Sequence, residues 1–226
     1  LGDAVGQMLA SAVGIAISPI PIIAVVLMLA TPRGRVNGTA FALSWVVCVA
    51  AVVTVIVLLG SGADASGDDG PADWTLWVKL VLGVLFLLLG GKQWAGRPRE
   101  GHEADQPGWM KAIDRFTPGK AAGLAAVLAV ANPKNLVLAV GGAVSIASSG
   151  ASAGGKTGAV VLMVLIASLC ALAPLAVYLA AGDRSARVLD EWKAWMARHN
   201  AAIMTTLLVV LGTKYIGDAV SGLSSD

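Results

Sequence analysis

Long apolar runs alternate with short polar ones along the chain, and within each run the hydrophobic residues are continuous rather than every second position. Six runs reach the length of about 20 residues that a membrane-spanning helix needs: roughly 5–30, 37–60, 74–94, 120–147, 157–181 and 200–220. Transmembrane β-strands would instead show alternation over segments of about ten residues. Two of the runs are interrupted. The first contains "ISPIP" at 17–21 and the fourth contains "ANPKN" at 131–135. As one straight helix, residues 5–30 would measure about 39 Å against a hydrocarbon core of about 30 Å, so a break or a tilt is expected there. No basic region precedes the first run, and a cleaved signal peptide is not expected.

Composition agrees with the pattern. Of 226 residues 57% are hydrophobic and only 13% charged, with a mean hydropathy of +0.78, whereas soluble domains carry about 25% charged residues. The 27 glycines and many alanines allow helix backbones to approach closely in lipid. The sequence therefore predicts an all-α integral membrane protein.

The charges sort by loop. Arg33 and Arg35 lie in the first loop, six basic residues from Lys92 to Lys120 in the third, and Arg184, Arg187, Lys193 and Arg198 in the fifth. The second loop, "SGADASGDDGPAD", has neither Lys nor Arg, and the fourth has Lys156 alone. By the positive-inside rule the odd loops are cytoplasmic and both termini are external, in a plasma (inner) membrane protein. Spread over three loops and interleaved with acidic residues, these charges are anchors, and no nucleic-acid partner is expected.

The two interruptions share a grammar. Proline is unfavourable inside a helix but suits its first position, directly after a capping Ser or Asn. Ser18-Pro19, followed by Pro21, and Asn132-Pro133 both read as a cap followed by a helix start. Each would place a helix N-terminus near the bilayer midplane, with its positive dipole end turned inward. Lys134 and Asn135 follow the second break. An ionisable residue deep in a span is costly and usually functional, and no Asp or Glu stands mid-span to pair with Lys134. Three readings stay open: a neutral amine, a side chain reaching water, or a cation awaiting an anionic substrate. Lys79 follows Trp74 and Trp77 and is expected to snorkel to the outer interface, while Lys214 can pair with Asp218 four residues on. Both are secondary candidates for the pathway.

Other chemistry finds little support. Cys48 and Cys170 are single residues in separate spans, His102 and His199 lie in loops, and no metal-ligand cluster, nucleotide loop or nucleophile–base set occurs. Neither an enzyme nor a bound cofactor or metal is expected.

The halves look related. "AISPIPIIAVVLMLA" and "AVANPKNLVLAVGGA" open them, and each continues with two further spans. Three spans per half is odd, so the halves would have opposite topology: two inverted three-helix repeats, each with a broken first helix. The expected organisation is a first repeat over 1–96, a cytoplasmic linker with a short amphipathic segment over 97–119, and a second repeat over 120–226. Within the latter, 186–198 places Val188, Leu189, Trp192, Trp195 and Met196 on one face, as an interfacial helix would.

The run "PGWMKAIDRFTPGKAAGLAAVLAVANPKN", with the earlier "SPIPIIAVVLML", resembles the actinobacterial sulfolipid-addressing and peptidoglycolipid-addressing (GAP) proteins of the lysine-exporter superfamily. The resemblance covers essentially the whole chain. It implies movement of a lipid or glycolipid toward the cell surface, and points to Pro19, Pro21, Asn132, Pro133, Lys134 and Asn135. Export of a small polar solute or amino acid, and an accessory role in a secretion complex, are the alternatives. The partners implied are a membrane lipid or glycolipid, lipid-synthesis or secretion machinery, and a second copy of the chain.

Overall fold

The computed structural model describes residues 2–64, 73–97 and 112–224. Most of the acidic second loop and of the 97–119 linker, including Trp109 and His102, lies outside the described residues, as does the side chain of Trp74. The described residues form nine α-helices with short 3-10 turns between some of them. In chain order they are α1 (Gly2–Ala16), α2 (Pro19–Leu29), α3 (Gly34–Asp64), α4 (Asp73–Ala95) and α5 (Pro118–Ala126). After α5 the chain widens into a π-helical turn, Val127–Ala131. There follow α6 (Pro133–Ala147), α7 (Ala153–Ala167), α8 (Leu169–Ala181) and α9 (Ser185–Leu223).

Among the described residues, four helical stretches are long and apolar enough to cross a membrane, and six if each bent pair counts as one span. The expected breaks fall where the sequence places them, but they differ in depth. At Asn132 the axis turns by 63°, while α1 and α2 continue as one stretch with a bend below 40°.

Two expectations need correction. The fifth span, expected to run unbroken over 157–181, turns by 57° at Ser168, between α7 and α8. Pro174, inside α8, explains the position: a proline removes one hydrogen bond and crowds the carbonyl four residues before it, so the distortion lies a turn upstream. The carbonyl of Ala167, whose α-helical donor would be the Ala171 amide, loses it to Ser168 O. It accepts instead from the buried indole of Trp45 (3.3 Å) and the thiol of Cys170 (3.3 Å). The second correction concerns 186–198. It is not a helix of its own but the start of α9, 39 residues without interruption and about 58 Å long. No proline occurs in that stretch, and its only glycines, Gly212, Gly217 and Gly222, lie well beyond 198.

Packing follows the small residues. α4 and α9 form the most extensive helix pair, and they meet through glycine: a Cβ on Gly83 would stand 2.7 Å from Ile216 Cγ1 and 3.0 Å from the Gly212 carbonyl. Such approach is how helices associate where lipid offers no hydrophobic drive. On α6, Gly141 and Gly142 admit Tyr215 and Met163 equally closely. Tyr215 fills the centre, where its hydroxyl meets Ser11 Oγ (3.2 Å) on α1 and Ser145 Oγ (3.3 Å) on α6. A phenol buried among apolar helices needs such partners.

Loops of one kind gather at one end. Asn37, just after the basic first loop, donates to Phe116 O (3.0 Å) beside the third. Lys156, at the start of α7, reaches Ser61 (3.3 Å) at the end of α3, bringing the basic-poor loops together.

Candidate functional site

The two breaks touch. Ser18 Oγ donates to Asn135 Oδ1 across 3.1 Å, and both residues are buried. The link explains itself from the backbone upward. In the π turn, Asn132 N donates to Val127 O, five residues back (3.1 Å). Continuing that register, Leu128 O would look to residue 133, but proline has no N–H. The orphaned carbonyl accepts from Asn135 Nδ2 instead, at 3.0 Å. Asn135 thus spends its amide on repairing the break behind it and its carbonyl on Ser18 of the other break.

The capping expectation holds at one break and fails at the other. Asn132 Oδ1 accepts from Lys134 N (3.2 Å) and caps α6, with Pro133 at the first position. Ser18 has the extended backbone of a cap but makes no capping bond. A capping side chain reaches the second or third amide of its helix. Here the first and third residues, Pro19 and Pro21, have none, so only Ile20 could donate. The hydroxyl is released to Asn135.

Lys134 stands at the first turn of α6, half-buried, its ammonium 2.7 Å from the thioether of Met204 on α9. A thioether is a weak acceptor. The ion pairs among the described residues, Lys193–Asp190 and Lys214–Asp218, do not involve it. Pro133 and Ala131 beside it are exposed, so the break lies at the surface of the bundle. The helix dipole adds positive potential at the same place.

The remaining sequence candidates lie apart. Lys214 is held by Asp218 at 2.7 Å, one turn along α9, as its spacing suggests. Lys79, one turn before Gly83 on α4, is buried at 7% exposure. Sequence reading missed three features: the π turn, the break at Ser168, and the Ser11–Tyr215–Ser145 cluster. Only Pro174 signalled the second in advance.

Two cavities lie in the bundle, one beside the first break and one away from both breaks, and both have mainly apolar walls. One, of about 430 Å³, lies between the first break (Ile17, Ile22), the break before α8 (Leu169, Pro174) and the ring and thioether of Trp195 and Met196. The other, of about 490 Å³, lies between α3 and α7.

A family model for Sap, the sulfolipid-1-addressing protein (SfLAP), matches residues 8–221. The chain belongs to the SfLAP family. No curated protein and no solved structure matches it. The SfLAP match spans both breaks and all the spans, from the first turns of α1 to the end of α9, and an apolar multi-helix body with lipid-exposed side chains suits a sulfolipid-addressing membrane protein.

Proposed function

We propose that this SfLAP member moves a lipid or glycolipid with an anionic headgroup toward the cell surface. The observation that carries the reading is the second break: a half-buried lysine at a helix N-terminus, beside exposed positions and paired with no carboxylate among the described residues. An anion brought to Lys134 gains a charge-assisted contact and a favourable dipole, while the acyl chains stay in lipid. The family description, sulfolipid-1-addressing, supports an anionic headgroup.

Alternating access between two inverted repeats supplies the motion. Helix pairings support it by recurring in exchange. α3 packs on α5 and α6 as α7 and α8 pack on α1 and α2; α2 meets α9 as α6 meets α4; and α4 pairs with α9. α1 on α6 has no counterpart of similar extent. In this reading Ser18 and Asn135 position the breaks and Lys134 binds. The basic loops face the cytoplasm, and the ends of α3 and α6 face outward. The alternative, a small polar solute held in an enclosed aqueous site, sits less well with cavities whose walls are apolar.

Reconstitution tests the proposal. Purified protein in vesicles of neutral phospholipid is expected to move a fluorescent phosphate-headed lipid between leaflets faster than protein-free vesicles do. Vesicles that move a labelled amino acid but not the lipid would favour the solute exporter.

A further inference from the structure

The cavity between α3 and α7 lies away from both breaks, and it is built like a lipid. Its wall is formed mainly by Val57 and Leu58 of α3 and Val160 and Val161 of α7, with Thr54 and Thr157 among them. Leu58 and Val161 are 68% and 51% exposed, so the groove is open along its length to the surrounding hydrocarbon. At its end stands Lys156, with Ser61 opposite.

The lysine at that end has a donor to spare. An ammonium has three donors. Lys156 places one on Ser61 Oγ (3.3 Å) and one on the carbonyl of Ala147, the last residue of α6, leaving the third for the groove that its side chain lines. No carboxylate pairs with it among the described residues. The lysine sits in the first turn of α7, where the dipole is also positive.

We propose that this groove is a second lipid site, which takes one acyl chain along α3 and α7 and holds an anionic phosphate or sulfate headgroup on Lys156. The ammonium at one end and mainly apolar walls along the rest favour an anionic amphiphile over a neutral lipid or a free anion. The proposal rests on the reading of the chain as a handler of anionic lipid. It adds a site at the end of the bundle opposite the basic loops, where a headgroup leaving Lys134 would be received.

Photo-crosslinking tests it without requiring transport. Protein in nanodiscs of neutral phosphatidylcholine is given a diazirine-bearing phosphatidic acid, or the matched diacylglycerol, and crosslinked peptides are mapped by mass spectrometry. Phosphatidic acid is expected to label 54–61 and 153–161 about fivefold more than diacylglycerol, the occupancy one lysine near an anionic membrane surface confers. Lys156→Gln is expected to remove that excess and Lys156→Arg to keep it, with labelling near Trp195 unchanged as the internal control. Equal labelling by the two lipids, no labelling of the groove, or full competition by inorganic phosphate would each overturn the proposal. The wild-type comparison stands even if Lys156→Gln does not fold. Failure of lipid movement in vesicles with the labelling intact would sink the transport reading and leave the groove standing; the converse would sink the groove alone.

Discussion

The breaks at Ser18 and Asn132 share a cap-and-proline grammar, yet they do different work. At the first, a second proline leaves only one amide within the cap's reach, the bend stays below 40°, and the serine turns away to the other break. At the second, the cap forms, a π turn precedes it, the axis swings by 63°, and a lysine stands where the first break has Ile20. One break braces the other, and the second carries the cation proposed to bind the substrate. Backbone similarity is thus compatible with divided roles, and a single side chain, Asn135, couples them.

That division is most sharply tested at Asn135. Asn135→Ala leaves both Leu128 O and the Ser18 hydroxyl unpaired in the interior, at about 1–3 kcal/mol each. The largest fall in thermal unfolding temperature in detergent is expected for this variant. Ser18→Ala removes only one of the two bonds and is expected to lose about half as much. Should the two variants prove equally stable, the link between the breaks is not what holds them. A double variant sharpens the point. Pro133→Ala supplies an N–H five residues after Leu128, so Pro133→Ala with Asn135→Ala is expected to be more stable than Asn135→Ala alone, a non-additivity of neighbours that share one acceptor. The smallest effect is expected for Asn132→Ala, about 1 kcal/mol for a lost cap.

Much of this was legible in advance, because each break is written in residues whose effect is local. Proline at 19 and 133 lacks an amide wherever it stands, and the apolar runs are long whatever packs against them. The features that could not be read depend on partners distant in sequence. Whether Ser18 caps or bridges depends on Asn135, 117 residues away. The Tyr215 cluster depends on Ser11 and Ser145 arriving from two other helices, past glycines that leave room for the ring. Lys79 reads as an interface residue from its tryptophan neighbours, and the fold buries it to 7% exposure. The continuity of α9 was missed for a different reason. A change from amphipathic to apolar character near 198 suggested a boundary, and a helix needs no boundary where only its surroundings change.

The central claim is that Lys134 holds the anionic group at the second break. It is tested most directly by reconstituting wild type, Lys134→Ala and Lys134→Arg in vesicles and comparing a phosphate-headed fluorescent lipid with its neutral counterpart. A charge-assisted contact of about 1.5–3 kcal/mol corresponds to roughly ten- to a hundredfold in binding. Lys134→Ala is expected to slow the anionic lipid by at least about tenfold, leave the neutral lipid unchanged and cost no thermal stability, with Lys134→Arg in between. An alanine variant that is properly folded and moves the anionic lipid at the wild-type rate would contradict the account.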